Sequence, residues 1–317
     1  MTPGAKPVVL VTGADLADEA VRLLRDYRLI YAGARPTEDD LLALVRRHDP
    51  VAMIVRYGRI GAALIDAARS LRVISKHGSG IDTIDSVAAG ARGIAVKAAA
   101  GANAAAVAEH AIALLLACAK SVVPLDARMH AGHWDKATHK SVELAGRCIG
   151  LVGLGAIGLR VAAVARAMDM RVIGHDPYAT DIPPWLEAVG LPRLWAESDA
   201  ISLHCPLTDA NRELLNAATL AQCRDGVLLV NTARGGLINE SDLLAAVRSG
   251  KVACAGLDSF QQEPPPAAHC FQGQQRLILS PHVGGVTHDA YVKMGVGAAR
   301  NVLEVLRAGQ AAIENGR

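Results

Sequence analysis

The sequence predicts an α/β fold built from two doubly wound parallel sheets. Short apolar segments of strand length alternate with helical segments along most of the chain, which is typical of parallel sheets covered by helices on both faces. A glycine-rich motif, Gly153, Gly155 and Gly158, lies between one such strand and a helix. The 317 residues are also enough for two domains, each with its own core.

The first part of the chain is predicted to alternate strands with amphipathic helices. The strands are 6–11, 28–32, 51–55 and 71–75, and the helices are 14–27, 37–48 and 61–70. Thr37 opens the second helix and Asp40 follows three residues later, a capping-box pattern. This part lacks the full glycine motif, so it need not bind a nucleotide.

A long Ala-rich helix over residues 101–121 is predicted to begin the second domain. It is apolar on nearly every face, so we expect something besides its own domain, such as a second subunit, to cover it. A polar connector, 134–144, leads from it into the glycine-rich strand. The remaining strands are 148–152, 170–174, 200–204, 226–230, 252–257 and 276–279, and the helices are 156–168, 183–189, 217–223 and 240–249, the last capped by Asn239. A closing helix over 287–307 should pack back on the first domain.

The glycine motif and its surroundings predict a dinucleotide site. Gly153 allows a tight turn, Gly155 lets the backbone approach a pyrophosphate, and Gly158 lets helix and strand pack closely. The N–H groups at the helix start would face the phosphates. Asp176, about 20 residues further on, can accept hydrogen bonds from the ribose hydroxyls and repels a 2′-phosphate, which favours NAD over NADP. The alternative is that Asp176 only caps the turn before Pro177.

Composition and charge exclude several other classes of function. A net charge of +2 and an aromatic content of 3% favour neither nucleic acid nor an anionic membrane surface as a partner. We expect no membrane span, because no run of about 18 residues is uniformly apolar. The N-terminus lacks a signal-peptide pattern. The six cysteines include no C-x-x-C pair, so we expect free thiols in a reducing cytoplasm and no metal site.

Two loops of the first domain follow predicted strands and are candidates for substrate binding. Arg56 follows the third strand, and residues 76–82 follow the fourth. Ligands of open α/β sheets gather beyond the carboxyl ends of strands. The second loop offers a cation and glycine-exposed N–H groups, which suit a carboxylate. A plain glycine-rich turn with a solvated lysine is the alternative. The residues assigned to substrate binding are Arg56, Lys76, His77, Gly78 and Ser79.

Three residues of the second domain are candidates for catalysis on an alcohol or ketone. His282 can exchange a proton near neutral pH, and an adjacent Glu263 would raise its pKa. Arg234 offers a planar fork to a carboxylate. Two of the three have a structural alternative: His282 could belong to a plain turn before Gly284, and Glu263 could be a solvated loop acid.

These motifs, taken together, resemble the D-isomer-specific 2-hydroxyacid dehydrogenases. The matching segments are 152–158, 231–235, 256–258 with Glu263 and Pro264, and 280–285, in that order over nearly the whole chain. The resemblance implies that Arg234, Glu263 and His282 are the catalytic residues, with His282 as acid/base and Glu263 as its partner. The residues assigned to cofactor binding are Gly153, Gly155, Ala156, Ile157, Gly158, Asp176, Cys205, Pro206, Thr232, Ala233, Asp258, Gly284 and Gly285, of which Pro206, Thr232, Ala233 and Asp258 would line the nicotinamide side.

The resemblance also implies an architecture and a reaction. A Rossmann NAD-binding domain, 100–286, would be inserted in a flavodoxin-like substrate domain, 1–99 and 287–317, in a homodimer formed through the helix at 101–121. Hydride would pass between NAD and C2 of a short 2-hydroxy acid. The chain looks most like the phosphoglycerate dehydrogenase branch, through Val55, Arg56, Asn103, the loop 76–82 and the segment 108–110.

Departures from that branch leave the substrate open. Lys76 stands where arginine is common, His77 where a small residue is common, and Gln261 where an acid is frequent. We also expect no regulatory C-terminal domain. Phosphoglycerate, glyoxylate, hydroxypyruvate, sulfolactate and other short 2-hydroxy acids all stay possible substrates. A rival function is an NAD-sensing binding protein of corepressor type, although the intact Arg, Glu and His set argues against it. A formate dehydrogenase is disfavoured because that branch carries Gln where Glu263 stands.

Overall fold

The computed structural model describes residues 6–315, with side chains described through residue 308, and the chain divides into two compact units. The first unit contains residues 1–103 and 286–317, and the second contains residues 104–285. The chain therefore enters the second unit once, leaves it once, and returns to the first. The assignment of these units as a substrate domain and an NAD-binding domain comes from the sequence.

The first unit contains a five-stranded parallel sheet covered by helices. Its elements are β1 Val8–Val11, α1 Asp18–Leu23, β2 Arg28–Tyr31, α2 Glu38–His48, β3 Ala52–Val55, α3 Ala62–Ala67, β4 Val73–Lys76, α4 Ser86–Ala91, β5 Ala95–Ala98 and the last helix of the chain, α11 His288–Asn315. The strand order is β2-β1-β3-β4-β5, with every pair parallel. This flavodoxin-like order confirms the predicted topology and reverses direction between β1 and β3.

Each face of this sheet has its own apolar core. One face packs against α2 and α3 through residues such as Leu41, Leu64 and Ile74, all fully buried. The other face is covered by α1 and α11, which contributes Ala298 and Val302. The closing helix therefore packs on the first unit, as predicted. The predicted capping box of α2 is also confirmed, because the side chains of Thr37 and Asp40 each accept a backbone N–H of the other.

The second unit contains a seven-stranded parallel sheet. Its elements are α5 Ala104–Lys120, α6 Val122–His130, β6 Cys148–Val152, α7 Ala156–Ala167, β7 Arg171–His175, β8 Glu187–Ala188, α8 Leu191–Glu197, β9 Ala200–Leu203, α9 Ala217–Gln222, β10 Val227–Asn231, α10 Glu240–Ser249, β11 Val252–Leu257 and β12 Leu277–Leu279. The order is β12-β11-β10-β9-β6-β7-β8, again with every pair parallel. This is the Rossmann order predicted for the NAD-binding half, and it reverses between β6 and β9.

Two apolar layers hold the second sheet. One contains α5 and α7, and the other contains α8, α9 and α10. Ten of the 17 residues of α5 are buried, and seven of these belong to the apolar layer that α5 forms with α7 in its own unit. The expectation that something besides its own domain, such as a second subunit, covers this helix stays a prediction. Within residues 6–315 no single helix meets the length and hydropathy expected of a membrane span, and α5 with α6 meets them only as a pair bent by 63°.

Several predicted elements are wrong or were missed. Residues 183–189 are not a helix, because a turn follows the two prolines at 183 and 184 and the chain then forms β8 beside β7. The helix begins later, with Gly190 as its N-cap and Pro192 in its first turn, where proline is tolerated. The short elements α4, β5, α6 and α8 were not predicted, and α1 is much shorter than the segment 14–27.

Candidate active site

The candidate site residues of the second unit all follow parallel strands. Gly153 follows β6, Thr232 follows β10, Asp258 follows β11 and Ser280 follows β12. The carboxyl ends of parallel strands lie at one edge of the sheet, so these residues share that edge. A crevice for a ligand forms where the strand order reverses, which in this unit is between β6 and β9.

The glycine loop at this crevice is shaped by two close approaches and one open position. Gly153 has a φ of +96°, and a Cβ there would lie 2.7 Å from the backbone nitrogen of Cys205. A Cβ on Gly158 would lie 2.1 Å from the Gly153 carbonyl oxygen. A Cβ on Gly155 would meet no atom within 4 Å. The tight turn at Gly153 and the close packing at Gly158 match their predicted roles. The open space at Gly155 would let a pyrophosphate approach the protein backbone.

Asp176 follows β7 and is hydrogen-bonded to the glycine loop. One carboxylate oxygen accepts the backbone N–H of Leu154 at 2.9 Å, and the other accepts the N–H of Tyr178 at 2.9 Å. Asp176 therefore does cap the turn, as the alternative interpretation held, but it also fixes the glycine loop. Each carboxylate oxygen has a second lone pair, so the group can still accept a hydroxyl hydrogen bond from a ribose.

The residues at this edge fit a dinucleotide. Gly155 is the N-cap of α7 and provides no side-chain cap, so the first-turn N–H groups of Ala156 and Ile157 suit a phosphate. Thr232 is 8% exposed, and its hydroxyl has no hydrogen-bond partner within the described chain. A buried polar group of this kind needs a partner, which the amide of a bound nicotinamide could supply.

The other residues assigned to cofactor binding lie on the same strand ends. Burial raises the pKa of the Cys205 thiol to about 11, so it stays neutral at pH 7. The Pro206 carbonyl accepts the Asn211 amide at 2.8 Å, and the Ala233 N–H donates to Asn231 at 3.0 Å. These hydrogen bonds fix the backbone of the loops after β9 and β10. Gly284 and Gly285 follow β12 on the loop that carries His282.

His282 and Glu263 form a direct hydrogen bond at this edge. Nδ1 of His282 lies 2.7 Å from Oε2 of Glu263, whose Oε1 accepts the Phe260 N–H at 3.0 Å. A carboxylate only accepts hydrogen bonds, so Nδ1 carries the proton and Nε2 is the nitrogen that can exchange one. The His282 side chain is 46% exposed, which leaves it accessible to a small molecule.

Electrostatic interactions within this pair favour the protonated form of His282. The hydrogen bond from Glu263 raises the pKa of His282, although partial burial and the charge of Arg234 oppose the rise. Burial works to raise the pKa of Glu263, but its hydrogen bonds from His282 and Phe260 outweigh that and leave it lowered. Glu263 is therefore ionised at pH 7 and favours the imidazolium form of its partner.

Replacing Glu263 with glutamine should move the pH profile toward acid. The carboxylate raises the His282 pKa, so its loss lowers the pH at which His282 gives up its proton. Reduction of an oxo acid needs the protonated form, so the falling limb of kcat/KM against pH should shift to lower pH. Initial rates from pH 5 to 10 would measure this. The matched control is Glu143→Gln, an exposed acid of the same unit, which should leave the limb unmoved. An unmoved limb in Glu263→Gln would contradict the coupling.

Arg234 lies on the loop after β10, close enough to His282 and Glu263 for its charge to affect both. Its charge lowers the pKa of His282 and of Glu263. Its Nη1 donates to the Ala233 carbonyl at 2.8 Å, and its own carbonyl accepts the Asn231 amide at 2.9 Å. Gly235 allows the loop to approach the Phe260 backbone, because a Cβ there would lie 1.9 Å from the Phe260 carbonyl carbon. The three predicted catalytic residues are thus brought to one place.

Asp258 holds the loop that carries His282. Its buried carboxylate accepts the Ser280 hydroxyl at 2.6 Å, the Val283 N–H at 2.9 Å and the Gly284 N–H at 2.7 Å. These bonds brace His282 at a φ of +54°, a strained value for a residue with a side chain. The sequence assigned Asp258 to the cofactor only, and the structure adds this support role.

Two further supports of this site were not found from the sequence. His110 of α5 lies 2.8 Å from the Ser280 hydroxyl. Glu240, at the start of α10, accepts the Gln261 N–H at 2.9 Å and pairs with His269 at 3.0 Å, so it anchors the loop on both sides of Glu263. Glu240, His269 and Cys270 offer ligand atoms within 4.8 Å of one another, but the hydrogen bonds already engage the first two. His110 and Glu240 are far in sequence from the residues they support, so no local sequence pattern indicates these contacts.

The residues assigned to substrate binding lie at the carboxyl ends of β3 and β4 in the first unit. Arg56 pairs with Asp15, and Lys76 donates to the Arg56 carbonyl at 3.3 Å. The Ser79 hydroxyl donates to Asn103 at 3.0 Å, and Gly78 has a φ of +142°. Strands β3 and β4 are paired neighbours, which places the two cations side by side.

His77 is an exception among them, because its ring is buried. The residue is 9% exposed, its ring lies 5.5 Å from the Tyr291 ring, and Nε2 has no partner within the described chain. Burial lowers its pKa to about 4, so the ring is neutral at pH 7. This placement argues against direct contact with a substrate, and the ring instead packs β4 against α11.

Comparison with known proteins gives the same picture. A family model described as the D-isomer specific 2-hydroxyacid dehydrogenase NAD-binding domain matches residues 112–284. A hydroxypyruvate reductase of Thermotoga maritima is 37% identical over 92% of this chain and 96% of its own length. The crystal structure of a glyoxylate reductase from Paecilomyes thermophila superposes with a TM-score of 0.86 at 30% identity, covering 96% of each chain.

The phosphoglycerate dehydrogenases among the relatives are longer than this chain. That of Archaeoglobus fulgidus is 32% identical over 92% of this chain but only 56% of its own length. That of Mycobacterium leprae is 37% identical over 93% of this chain and 56% of its own length. The chain therefore spans little more than half of these relatives, whereas it spans nearly all of the hydroxypyruvate reductase.

Proposed function

Since this chain belongs to the D-isomer specific 2-hydroxyacid dehydrogenase family, we propose that it reduces a short 2-oxo acid to its D-2-hydroxy acid, and catalyses the reverse oxidation, with NAD as its cofactor. The observation that carries the proposal is the 2.7 Å hydrogen bond between His282 and Glu263 within the field of Arg234. An acid, its supporting carboxylate and a guanidinium at the edge of a dinucleotide-binding sheet are the groups such a reaction requires.

The protein groups have separate tasks in this proposal. The bound nicotinamide supplies or accepts the hydride. Nε2 of His282 gives a proton to the carbonyl oxygen during reduction and takes it back during oxidation. Glu263 holds the imidazole in the required tautomer and stabilises its charged form. Arg234 binds the substrate carboxylate with its planar fork and polarises the carbonyl oxygen.

The choice of NAD over NADP rests on Asp176. Its carboxylate is fixed to the glycine loop through Leu154, where it can accept both ribose hydroxyls. A 2′-phosphate placed there would meet a like charge, and none of residues 177–180 is Arg or Lys. We therefore propose a strong preference for NADH, which the assay below measures directly.

The substrate we propose is a two- or three-carbon 2-oxo acid. Hydroxypyruvate and glyoxylate are the acids that relatives of nearly full coverage are named for. Phosphohydroxypyruvate and a sulfonated analogue are the charged alternatives. Initial rates with NADH and with NADPH over these four acids would test the proposal. We expect turnover of at least one acid with NADH and much lower rates with NADPH. No turnover of any of the four would refute the reductase assignment.

We also propose that the protein is a homodimer in the cytoplasm. Helix α6 exposes Val122, Val123 and Met129, and Trp134 follows it with 75% of its surface exposed. A cluster of exposed apolar side chains beside α5 suits a contact between two copies. The six free cysteines suit a reducing compartment. We expect light scattering to give twice the 33.1 kDa chain mass, and Val123→Asp to lower it; a monomeric mass for the unaltered protein would contradict the dimer.

A further inference from the structure

Three side chains able to bind a metal ion converge beside the segment that carries Glu263. They are Glu240 at the start of α10, and His269 and Cys270 in the segment between β11 and β12. A carboxylate oxygen, an imidazole nitrogen and the thiol sulfur lie within 4.8 Å of one another. All three residues belong to the second unit, so their arrangement depends on that unit alone.

The spacing of these atoms is close to that of a metal site. The ligands of a tetrahedral zinc ion lie about 3.3 to 3.8 Å apart, given bond lengths of about 2.0 to 2.3 Å. Nε2 of His269 already lies 3.0 Å from Oε2 of Glu240. Cys270 follows His269 directly and is exposed, so rotation of its side chain can close the remaining distance.

Two of the three ligands are held in place, and the third is open to solvent. The side chains of His269 and Glu240 are only 10% and 15% exposed. The other carboxylate oxygen of Glu240, Oε1, accepts the Gln261 N–H at 2.9 Å, which fixes the orientation of the group. The exposed thiol of Cys270 gives an ion in solution a route to the two enclosed groups.

The surroundings of the thiol favour a bound cation. Burial and the charge of Glu240 raise the pKa of the Cys270 thiol, which shows that the carboxylate acts on the sulfur. A divalent cation bound to both groups would offset their repulsion and allow the thiolate, the form that binds metals. The His269 ring meets the rings of Phe260 and Phe271 edge-on, at 5.9 and 4.8 Å, and such apolar neighbours strengthen the attraction between an ion and its ligands.

An ion would displace little of what the structure already contains. An imidazole binds a metal through one ring nitrogen and keeps its proton on the other. Whichever nitrogen of His269 binds, the hydrogen bond given up at Nδ1 is the long one from the Phe271 N–H, at 3.4 Å. The contact between Nε2 and the Glu240 carboxylate is either kept or replaced by two bonds to the metal.

We propose that Glu240, His269 and Cys270 form a zinc site, with water as the fourth ligand. A thiolate, an imidazole and a carboxylate together suit zinc, whereas magnesium and calcium prefer oxygen ligands alone. The bound ion would join the start of α10 to residues 258–276, which form no helix or strand and include Glu263. The inference goes beyond the proposed reaction and does not depend on it, because neither substrate nor cofactor takes part.

The test is metal binding by the untagged protein after treatment with a chelator. We expect one zinc ion to bind per chain, measured by competition with a chromophoric chelator. Co²⁺, used as a spectroscopic probe of the same site, should give the near-ultraviolet charge-transfer band of a cobalt–thiolate bond. Excess Mg²⁺ should displace neither ion, because it prefers oxygen ligands.

Cys270→Ser is the principal variant, because an exposed thiol can be replaced with little effect on the fold. It should abolish the cobalt–thiolate band and weaken zinc binding by at least about tenfold, since losing even a residue that supports a metal ligand costs about 10- to 100-fold. Glu240→Gln keeps the shape of the side chain but removes its charge, and it should also weaken zinc binding. Zinc should raise the melting temperature of the unaltered protein more than that of either variant.

The matched control is Cys254→Ser. Cys254 on β11 is a partly exposed thiol of the same unit, and among the described residues it belongs to no group of three potential metal ligands. This variant should bind zinc and cobalt as the unaltered protein does. It loses the same atom from the same unit, so it shows whether the effect is specific to Cys270.

Several outcomes would overturn the inference. They are an absence of zinc binding, a cobalt complex without the thiolate band, unchanged zinc affinity in Cys270→Ser, and an equal loss of affinity in Cys254→Ser. None of these measurements uses turnover. A failure of the proposed reaction therefore leaves the zinc site untouched, and a failure of the zinc site leaves the proposed reaction untouched.

Discussion

Replacing His282 with alanine should lower kcat for 2-oxo acid reduction by about 10² to 10⁴ while NADH still binds. The imidazole supplies the proton that reaches the carbonyl oxygen, and its 2.7 Å hydrogen bond to Glu263 holds it in the tautomer that this requires. Water can donate the proton in its place, but much more slowly. Steady-state kinetics and the quenching of protein fluorescence by NADH would give the two quantities separately.

His130 provides the control for that experiment. It is an exposed histidine on α6 in the same unit, with 82% of its side chain accessible, so His130→Ala should keep full activity. A kcat within about threefold of the unaltered enzyme for His282→Ala would sink the assignment of His282 as the acid, since loss of a general acid costs far more. A loss of NADH binding would instead indicate that the loop had collapsed, because His282 is held at a strained φ by Asp258.

The second large effect is expected from two alanine substitutions in the glycine motif. Gly155→Ala should keep the melting temperature and weaken NADH binding by about tenfold or more. A methyl group there meets no atom within 4 Å, so the fold tolerates it, but it fills the space through which the pyrophosphate approaches. Gly158→Ala should instead lower stability by about 3 kcal/mol or prevent folding, since its Cβ would lie 2.1 Å from the Gly153 carbonyl.

Thermal denaturation with and without NADH distinguishes the two variants. Gly155→Ala should melt at the unaltered temperature without NADH and gain little on its addition, because ligand binding is what raises the melting temperature. Gly158→Ala should melt early or express poorly under both conditions. Equal NADH affinity in Gly155→Ala and the unaltered protein would mean that the phosphates do not pass over this loop.

The sequence predicted best those features that are fixed by neighbouring residues. The glycine spacing, the α2 capping box and the strands β6 and β11 depend on contacts within a few residues, and all of them are found. The helix predicted at 183–189 failed because its two opening prolines fit an extended edge segment equally well, and only pairing with β7 decides between them. The strand β5 was missed because its residues 95–98 carry little strand preference of their own.

In the candidate site, too, the sequence predicted the residues that local motifs mark but not those that depend on distant contacts. Arg234, Glu263 and His282 were found because their types and flanking motifs are distinctive, whereas their supports depend on distant partners. Asp15 and Arg56 are 41 residues apart, and Ser280 meets His110 across 170 residues. The burial of His77 follows from α11, which returns more than 200 residues later to cover it. Such pairings leave no spacing that a reader of the sequence could detect.

The return of α11 to the first unit has a consequence for how the chain matures on the ribosome. The face of the first sheet that carries Val9 and Val11 is completed by Ala298, Val302 and Leu306 of α11, which are translated only after the inserted segment 104–285. The inserted segment 104–285 contains all of its own core and can close as soon as it emerges. The first unit therefore completes its core only after the inserted unit has been made, and until then Val9 and Val11 are an apolar surface that chaperones would be expected to shield.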